Sequence, residues 1–410
     1  MKIAVIGGGW AGIAAAVELT AAGVETTIFE AGRVLGGRAR SISVDGRKLD
    51  NGQHILLGAY RETLALMRQV GANPDSLFDR HPLQVIDNTG FMLALPKWPA
   101  PLNVAWGLLT AQGVSLREKI STAWWMQCVK ARHFHLEHDS SVAEWLDAAG
   151  QTGRLRQHLW EPLCLAALNI PAERASAQIF ANVLRDSLGS AKREDTDLLL
   201  ARGDLGAVLP VPATQWLTAQ GATLRCGNRV EQIEVRSDGI HIADEFFTAA
   251  ILATAPQHAA KLWPEMSTNY AFEPIATVYL QFSAKTKLPF PLLNLLGKHG
   301  QWVVDRGNGL LACVLSGHGD WETLDDAQLA IALEAELKLP EKAGWHKVIR
   351  EKRATFACQP GIFRPALTTS SPHLLLAGDY TWAEYPATLE GAVRSGRRAA
   401  HRLLQKRSKS

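Results

Sequence analysis

The stretch that constrains this chain most is IAVIGGGWAG, residues 3–12, followed by an alanine-rich run and a second apolar run that ends at Glu30. Residues 3–6 have the length and β-branching of a strand buried on both faces, and residues 11–22 place small and apolar side chains at helical spacing. Gly7-Gly8-Gly9-Trp10-Ala11-Gly12 therefore falls at a strand-to-helix turn, the setting in which G-x-G-x-x-G carries meaning. Gly7 permits the tight turn, Gly9 lets a pyrophosphate approach the backbone, and Gly12 lets helix and strand pack closely. The helix start adds free N–H groups and the positive end of its dipole. The next strand, residues 25–29, ends in Glu30, where a carboxylate accepts hydrogen bonds from a ribose diol. The opening of the chain thus specifies an α/β, Rossmann-like dinucleotide fold.

The rest of the chain must say what that dinucleotide is for. At 410 residues there is room for two sizeable cores. A net charge of +3 with 20% charged residues is ordinary for a globular protein and gives no reason to expect a nucleic-acid partner. The five cysteines (Cys128, Cys164, Cys226, Cys313, Cys358) form no C-x-x-C pair, and no secretory leader precedes them. That pattern reads as a reduced, cytoplasmic protein with no structural zinc and no other metal site. No run of 18 uncharged apolar residues is present to span a bilayer.

Arg33-Val34-Leu35-Gly36-Gly37-Arg38-Ala39-Arg40-Ser41 resembles the R-x-x-G-G-R-x-x-S extension of the flavoprotein superfamily that holds amine oxidases, protoporphyrinogen oxidase and carotenoid desaturases. Gly36 and Gly37 allow close backbone approach there, and Arg38 offers a planar donor fork to phosphate. Asp50-Asn51-Gly52-Gln53-His54 is similar to the D-x-G segment that runs beside the flavin ring in that superfamily, so Gly52 and His54 are expected near it. Near the other end, Gly378-Asp379 and residues 388–396 (TLEGAVRSG) resemble the family's G-D and M-E-G-A-x-x-S-G. The resemblance puts Asp379 at the ribityl and pyrophosphate region and the helix start at Glu390 against the flavin. Residues 229–233 and 250–255 read as returning strands, with Val230 touching adenine. The implied cofactor is FAD, held non-covalently since no cysteine follows Cys358. The cofactor domain is expected to be discontinuous (1–70, 201–258 and 370–410), with a mixed α+β substrate domain from 71–200 and 259–369.

Within the second domain, residues 71–200 read as mostly helical, with amphipathic segments near 115–136, 142–149 and 153–168 and a break at Pro171, while 270–283, 301–305 and 309–316 read as strands. Thirteen tryptophans is a high count, and Trp98, Trp106, Trp124 and Trp125 cluster in or near the proline-broken apolar region 91–109. They suggest either an apolar tunnel or a surface that rests on a bilayer. The tail after Glu390 has no acid but carries Arg394, Arg397, Arg398, Arg402, Lys406, Arg407 and Lys409, which would attract anionic lipid. The location read from this is cytoplasmic, with peripheral contact on the inner face of the cell membrane as the further expectation.

Among flavoenzymes, an amine oxidase usually has an aromatic wall where this chain has Thr388, which weakens an amine substrate. A prenyl-protein carrier of the GDP-dissociation inhibitor type has no need of the complete flavin end. Over essentially its full length the chain most resembles the squalene-associated flavoprotein group, the hydroxysqualene dehydroxylases, with a carotenoid-type desaturase as the alternative. The segments that carry this are residues 50–60, 160–169 and 385–396. The resemblance implies reductive removal of an allylic hydroxyl from a long apolar isoprenoid, hydroxysqualene, to give squalene for hopanoid and related synthesis. Such a reaction needs an acid in a dry pocket, and His54, Glu161 and Tyr380 are the candidates. Gly203-Asp204-Leu205-Gly206 lacks the flanks of a second dinucleotide turn, so electrons are expected from transient NADPH or from a partner reductase.

Overall fold

Strand Lys2–Ile6 lies at the centre of a five-stranded, all-parallel sheet, flanked by Glu25–Glu30 and then Thr223–Cys226 on one side, and by Ala249–Leu252 and then Leu374–Leu376 on the other. The structure, a computed structural model, describes residues 1–266 and 269–407, the last without its side chain. Alternation along the central strand sorts two cores. Ile3 and Val5 face helices Trp10–Ala21 and Leu389–Arg407, while Ala4 and Ile6 face a small antiparallel meander that brings Phe247 edge-on to Phe29. The two helices touch backbone to backbone. A Cβ on Gly12 would sit 1.9 Å from the Gly7 carbonyl oxygen, and one on Gly396 would sit 2.0 Å from that of Ala11.

One sequence expectation for this sheet needs correcting. Residues 229–233 are not a strand; the strand at that place is Thr223–Cys226, and Val230 follows it in an irregular loop.

A second, antiparallel sheet runs in the order Leu292–Asn294, Trp302–Asp305, Leu310–Ser316, Phe272–Gln281, Trp345–Phe356. Ala276, Val278 and Leu280 pack on helix Asp326–Leu337, so Ile275, Thr277 and Tyr279 point the other way, Tyr279 into the core that also holds Ala4 and Ile6. Its edge strand Trp345–Phe356 escaped the sequence reading because it carries six charged or histidine side chains in twelve residues and buries little beyond Val348, Thr355 and Phe356. Helices Leu116–Ala131, Val142–Ala148 and Glu161–Leu168 stand where expected, the last preceded by a π-turn over Arg156–Trp160 and ended by Asn169 in the left-handed region before Pro171. The segment expected to be mostly helical also holds Phe78–His81 and the hairpin Gln84–Ile86 with Met92–Ala94. Among the described residues no helix is long and apolar enough to cross a membrane, and no group of three or more His, Cys, Asp or Glu is placed to hold a metal.

Candidate active site

The glycine turn opens onto a cavity of about 730 Å³ that reaches from the parallel sheet to the inner face of the antiparallel one. From the first segment of chain Gly7, Gly9, Glu30, Arg38 and Gly52 line it; Val230 comes from the second, and Gly378 and Asp379 from the last. Gly7 has a φ of +109°, and a Cβ there would lie 2.7 Å from the Ala253 carbonyl oxygen, so no other residue fits the turn. Gly9 differs. A Cβ on it would meet no protein atom within 4 Å and would stand in the cavity, in the space a pyrophosphate needs. Gly12 stays behind the turn, where it lets the helix close on Gly7.

Both oxygens of Glu30 are aimed by backbone donors, Gly8 N–H at 2.7 Å and Gly32 N–H at 2.6 Å, which leaves lone pairs for a diol. The Val230 loop is tied to the same corner, with Asn228 N–H donating to the Glu30 carbonyl and Gly227 N–H to that of Gly32. Arg38 lines the cavity with its fork partly engaged: one Nη donates to Asp379 Oδ2 at 2.7 Å and the other to the Ala354 carbonyl at 2.5 Å. It ties the two ends of the chain together across the site, and only its remaining N–H groups are available to a phosphate.

Glu390 departs from the sequence reading. Its fully buried carboxylate accepts from Glu62 N–H, Thr63 N–H, the Thr63 hydroxyl and Arg394 Nε, and it does not line the cavity. What the last helix presents to the cavity is its first turn, through Leu389 and Ala392, with Thr388 just ahead.

The three acid candidates separate. Glu161 pairs with Arg156 Nε at 2.7 Å and lies outside the cavity, so its place in an apolar segment reflects one face of a helix and not a pocket. Tyr380 is buried beneath Gly378, its hydroxyl has no protein partner, and it too is absent from the lining; burial pushes its pKa up, so it is a poor acid. His54 alone lines the cavity. Its Nδ1 lies 2.8 Å from the Gly52 carbonyl, which can only accept, so Nδ1 carries the proton and Nε2 is an acceptor in the neutral ring. Burial, with the Arg38 charge adding to it, lowers the His54 pKa and favours that neutral form.

An apolar stretch of wall is made by Ile55, Ala166, Ala167, Leu262, Ile275 and Ile349. Among the polar residues that also line the cavity and that the sequence did not single out are Tyr60, Thr277 and Asn169. Tyr60, whose pKa is raised by burial and by Glu390, keeps its proton and is a donor. Thr277 faces inward by strand alternation. Asn169 holds the left-handed helix end by accepting from Gly317 N–H at 3.0 Å and donating to Thr355 Oγ1 at 2.9 Å. Alternation and the helix stop were legible signals; which cavity they faced was not.

The lining suits a flavin dinucleotide on its own terms. It combines a glycine cradle that any side chain would fill, a carboxylate aimed by two backbone donors, and two wall atoms, Gln53 Oε1 and Thr254 Oγ1, that are buried without protein partners. Comparison with known proteins agrees. The family model of flavin-containing amine oxidoreductases matches residues 10–404. A hydroxysqualene dehydroxylase of Rhodopseudomonas palustris is 30% identical over 98% of this chain and 97% of its own length, and one of Sinorhizobium fredii is 28% identical over 98% of each. A zeta-carotene desaturase of Synechocystis is 26% identical over 98% of this chain and 97% of its own. In fold, an oxidoreductase from Methanosarcina mazei superposes with a TM-score of 0.75 at 15% identity, covering 98% of this chain and 100% of that one. The cavity, its glycine cradle and the full-length match together make this chain a member of the flavin-containing amine oxidoreductase family, an FAD-dependent oxidoreductase related to the hydroxysqualene dehydroxylases.

Proposed function

We propose that the chain removes the allylic hydroxyl of hydroxysqualene to give squalene. One observation carries the reading: the three segments similar to the dehydroxylases, residues 50–60, 160–169 and 385–396, lie far apart in sequence yet all contribute to one cavity, through His54 and Tyr60, through Ala166, Ala167 and Asn169, and through Thr388 and Leu389. The wall is alkyl where a long isoprenoid would lie. At the position of an amine-cage aromatic it has Thr388, whose hydroxyl accepts from Gly391 N–H.

The net change replaces C–OH by C–H: the oxygen leaves as water after taking a proton, and the allylic cation takes a hydride. FAD, which the glycine cradle, Glu30 and Arg38 would hold, would when reduced supply that hydride. The chain's own residues bind, orient and exclude water. Tyr60 offers a donor to the leaving oxygen, and His54 lines the same cavity. The proton comes from His54 in its imidazolium form, an acid made stronger by the burial that also makes it scarce. Turnover should therefore rise as pH falls below 6.5, and His54→Gln should lower kcat roughly 100-fold and remove that rise. Electrons reach the enzyme from NADPH or a partner reductase. Leu205–Val208 is a four-residue helix capped by Asp204 after an antiparallel strand, which supports reading that stretch as something other than a second dinucleotide turn.

The test is anaerobic incubation of chemically reduced holoenzyme with hydroxysqualene, with products identified by mass. Squalene supports the proposal. Untouched hydroxysqualene, together with dehydrogenation of carotene-type polyenes by the oxidised form, would transfer the assignment to a desaturase.

A further inference from the structure

Half of the exposed large apolar side chains among the described residues lie in one short stretch, and they form two stripes. Leu102, Trp106 and Leu109 lie at i, i+4 and i+7 on the outer face of helix Leu102–Thr110, and Leu116, Ile120 and Trp124 at i, i+4 and i+8 on that of Leu116–Ala131. Exposure within the set, which includes Trp98, runs from 43% at Trp106 to 72% at Trp124. Lys119 Nζ donates to the Leu109 carbonyl at 2.7 Å, tying the start of the second helix to the end of the first, and Trp98 leans on Trp106 with ring centroids 4.9 Å apart. The inner faces are filled in the ordinary way, with Trp125 packed between Trp145 and Trp160. A water-facing helix normally shows polar residues outward, and among the described residues no other helix carries three exposed large apolar side chains along one face.

Charge completes the pattern. Between residues 91 and 136 the sequence has Lys97, Arg117, Lys119, Lys130 and Arg132 but a single acid, Glu118. Glu118 is turned inward on its own helix cap, accepting from Ser115, and on the backbone of Arg154. Exposed tryptophan, long aliphatic side chains and unopposed cations on one surface are what the interface of an anionic bilayer accepts.

We infer that the outer face of this helix pair docks on an anionic lipid bilayer. This separates two ideas that the sequence left together. None of Trp98, Trp106, Trp124 and Trp125 lines the cavity. The basic tail is also not the main attachment. Arg394 is held by Glu390, Arg397 by Glu18 and Glu62, and Lys406 donates to the Pro372 carbonyl; Lys409 lies outside the described residues. The inference concerns a different surface from the cavity and stands apart from the reaction assigned to it.

Flotation of the full-length holoenzyme with vesicles of phosphatidylglycerol and phosphatidylcholine tests it, with tryptophan quenching by brominated lipid as a second readout. Ile120→Glu with Trp124→Glu changes only outward side chains, so flavin absorbance and thermal unfolding should match the wild type while vesicle affinity falls roughly 100-fold or more. Arg398→Glu with Arg402→Glu, on the exposed side of the tail helix, should change it less than threefold. High salt should weaken wild-type binding without abolishing it, since the apolar part is unscreened. Wild-type vesicle affinity in the Ile120/Trp124 variant would overturn the inference. So would a wild-type dimer that this variant converts to monomer with lipid binding unchanged, because the face would then belong to a second copy.

Discussion

Gly9 and Asp50 show how differently single residues answer for this site. Gly9 is needed for what stands outside the chain, since its missing Cβ leaves room in the cavity and touches nothing of the protein. Gly9→Val should therefore fold, with a far-ultraviolet spectrum like the wild type, yet show no flavin absorbance near 450 nm; wild-type occupancy would contradict the cradle. Asp50 is needed inside the chain. Only 1% exposed, it accepts from Leu205 N–H at 2.6 Å and faces Arg306 at 3.4 Å, yet burial outweighs both and raises its pKa from 3.8 to about 6. The folded state then binds more protons than the unfolded one between those two values, so stability falls as pH rises through that window and is level above it. The drop is on the order of 3 kcal/mol for a shift of this size. Denaturant midpoints at pH 4.5 and 7.5 should show it in the wild type and not in Asp50→Asn; an equal slope in both would remove Asp50 as the cause.

At the scale of elements, the contact between helices Trp10–Ala21 and Leu389–Arg407 holds the two ends of the chain beside the cofactor turn. Gly396 permits it, and Glu390 fixes its angle by gripping the start of the helix that begins at Arg61. Gly396→Val should push the helices apart at the Ala11 carbonyl, costing about 3 kcal/mol by overpacking, and should loosen flavin along with the fold. A variant with wild-type Tm and flavin affinity would mean that the contact is not tight. The element level also shows why some strands hid. Trp345–Phe356 is an edge strand with one partner, Phe272–Gln281, so it can carry charge on much of its length and gives no clear period of two. The Gln84–Ile86 hairpin is too short to outweigh the helical pattern around it.

For the molecule as a whole, the five cysteines are placed where none lines the cavity: Cys164, Cys313 and Cys358 are buried, Cys128 is half-buried, and Cys226 is exposed outside it. The flavin should accordingly be non-covalent, and acid precipitation should leave a white pellet under a yellow supernatant; colour in the pellet would show a covalent bond. The same view explains which cavity-lining residues could be read in advance. The glycine cradle and Glu30, which line the cavity, were legible because a strand-end turn imposes them at a fixed spacing, whereas Arg38 and Gly378-Asp379 were legible only through the family resemblance.

The acids were not legible in that way. His54, Glu161 and Tyr380 have equal standing as titratable residues in apolar company, and only the folded chain ranks them: His54 lines the cavity, Glu161 is held outside by Arg156, and Tyr380 is sealed under Gly378 while Tyr60 takes the place expected of it. The tryptophans divide likewise, Trp125 inward and Trp124 outward, although they are neighbours in sequence. Local sequence determined the dinucleotide turn, most of the elements and the family, because strand, turn and helix preferences act over a few residues. Which side chain meets the cavity, which meets a partner and which meets solvent was decided by tertiary structure, because those outcomes depend on contacts between segments hundreds of residues apart.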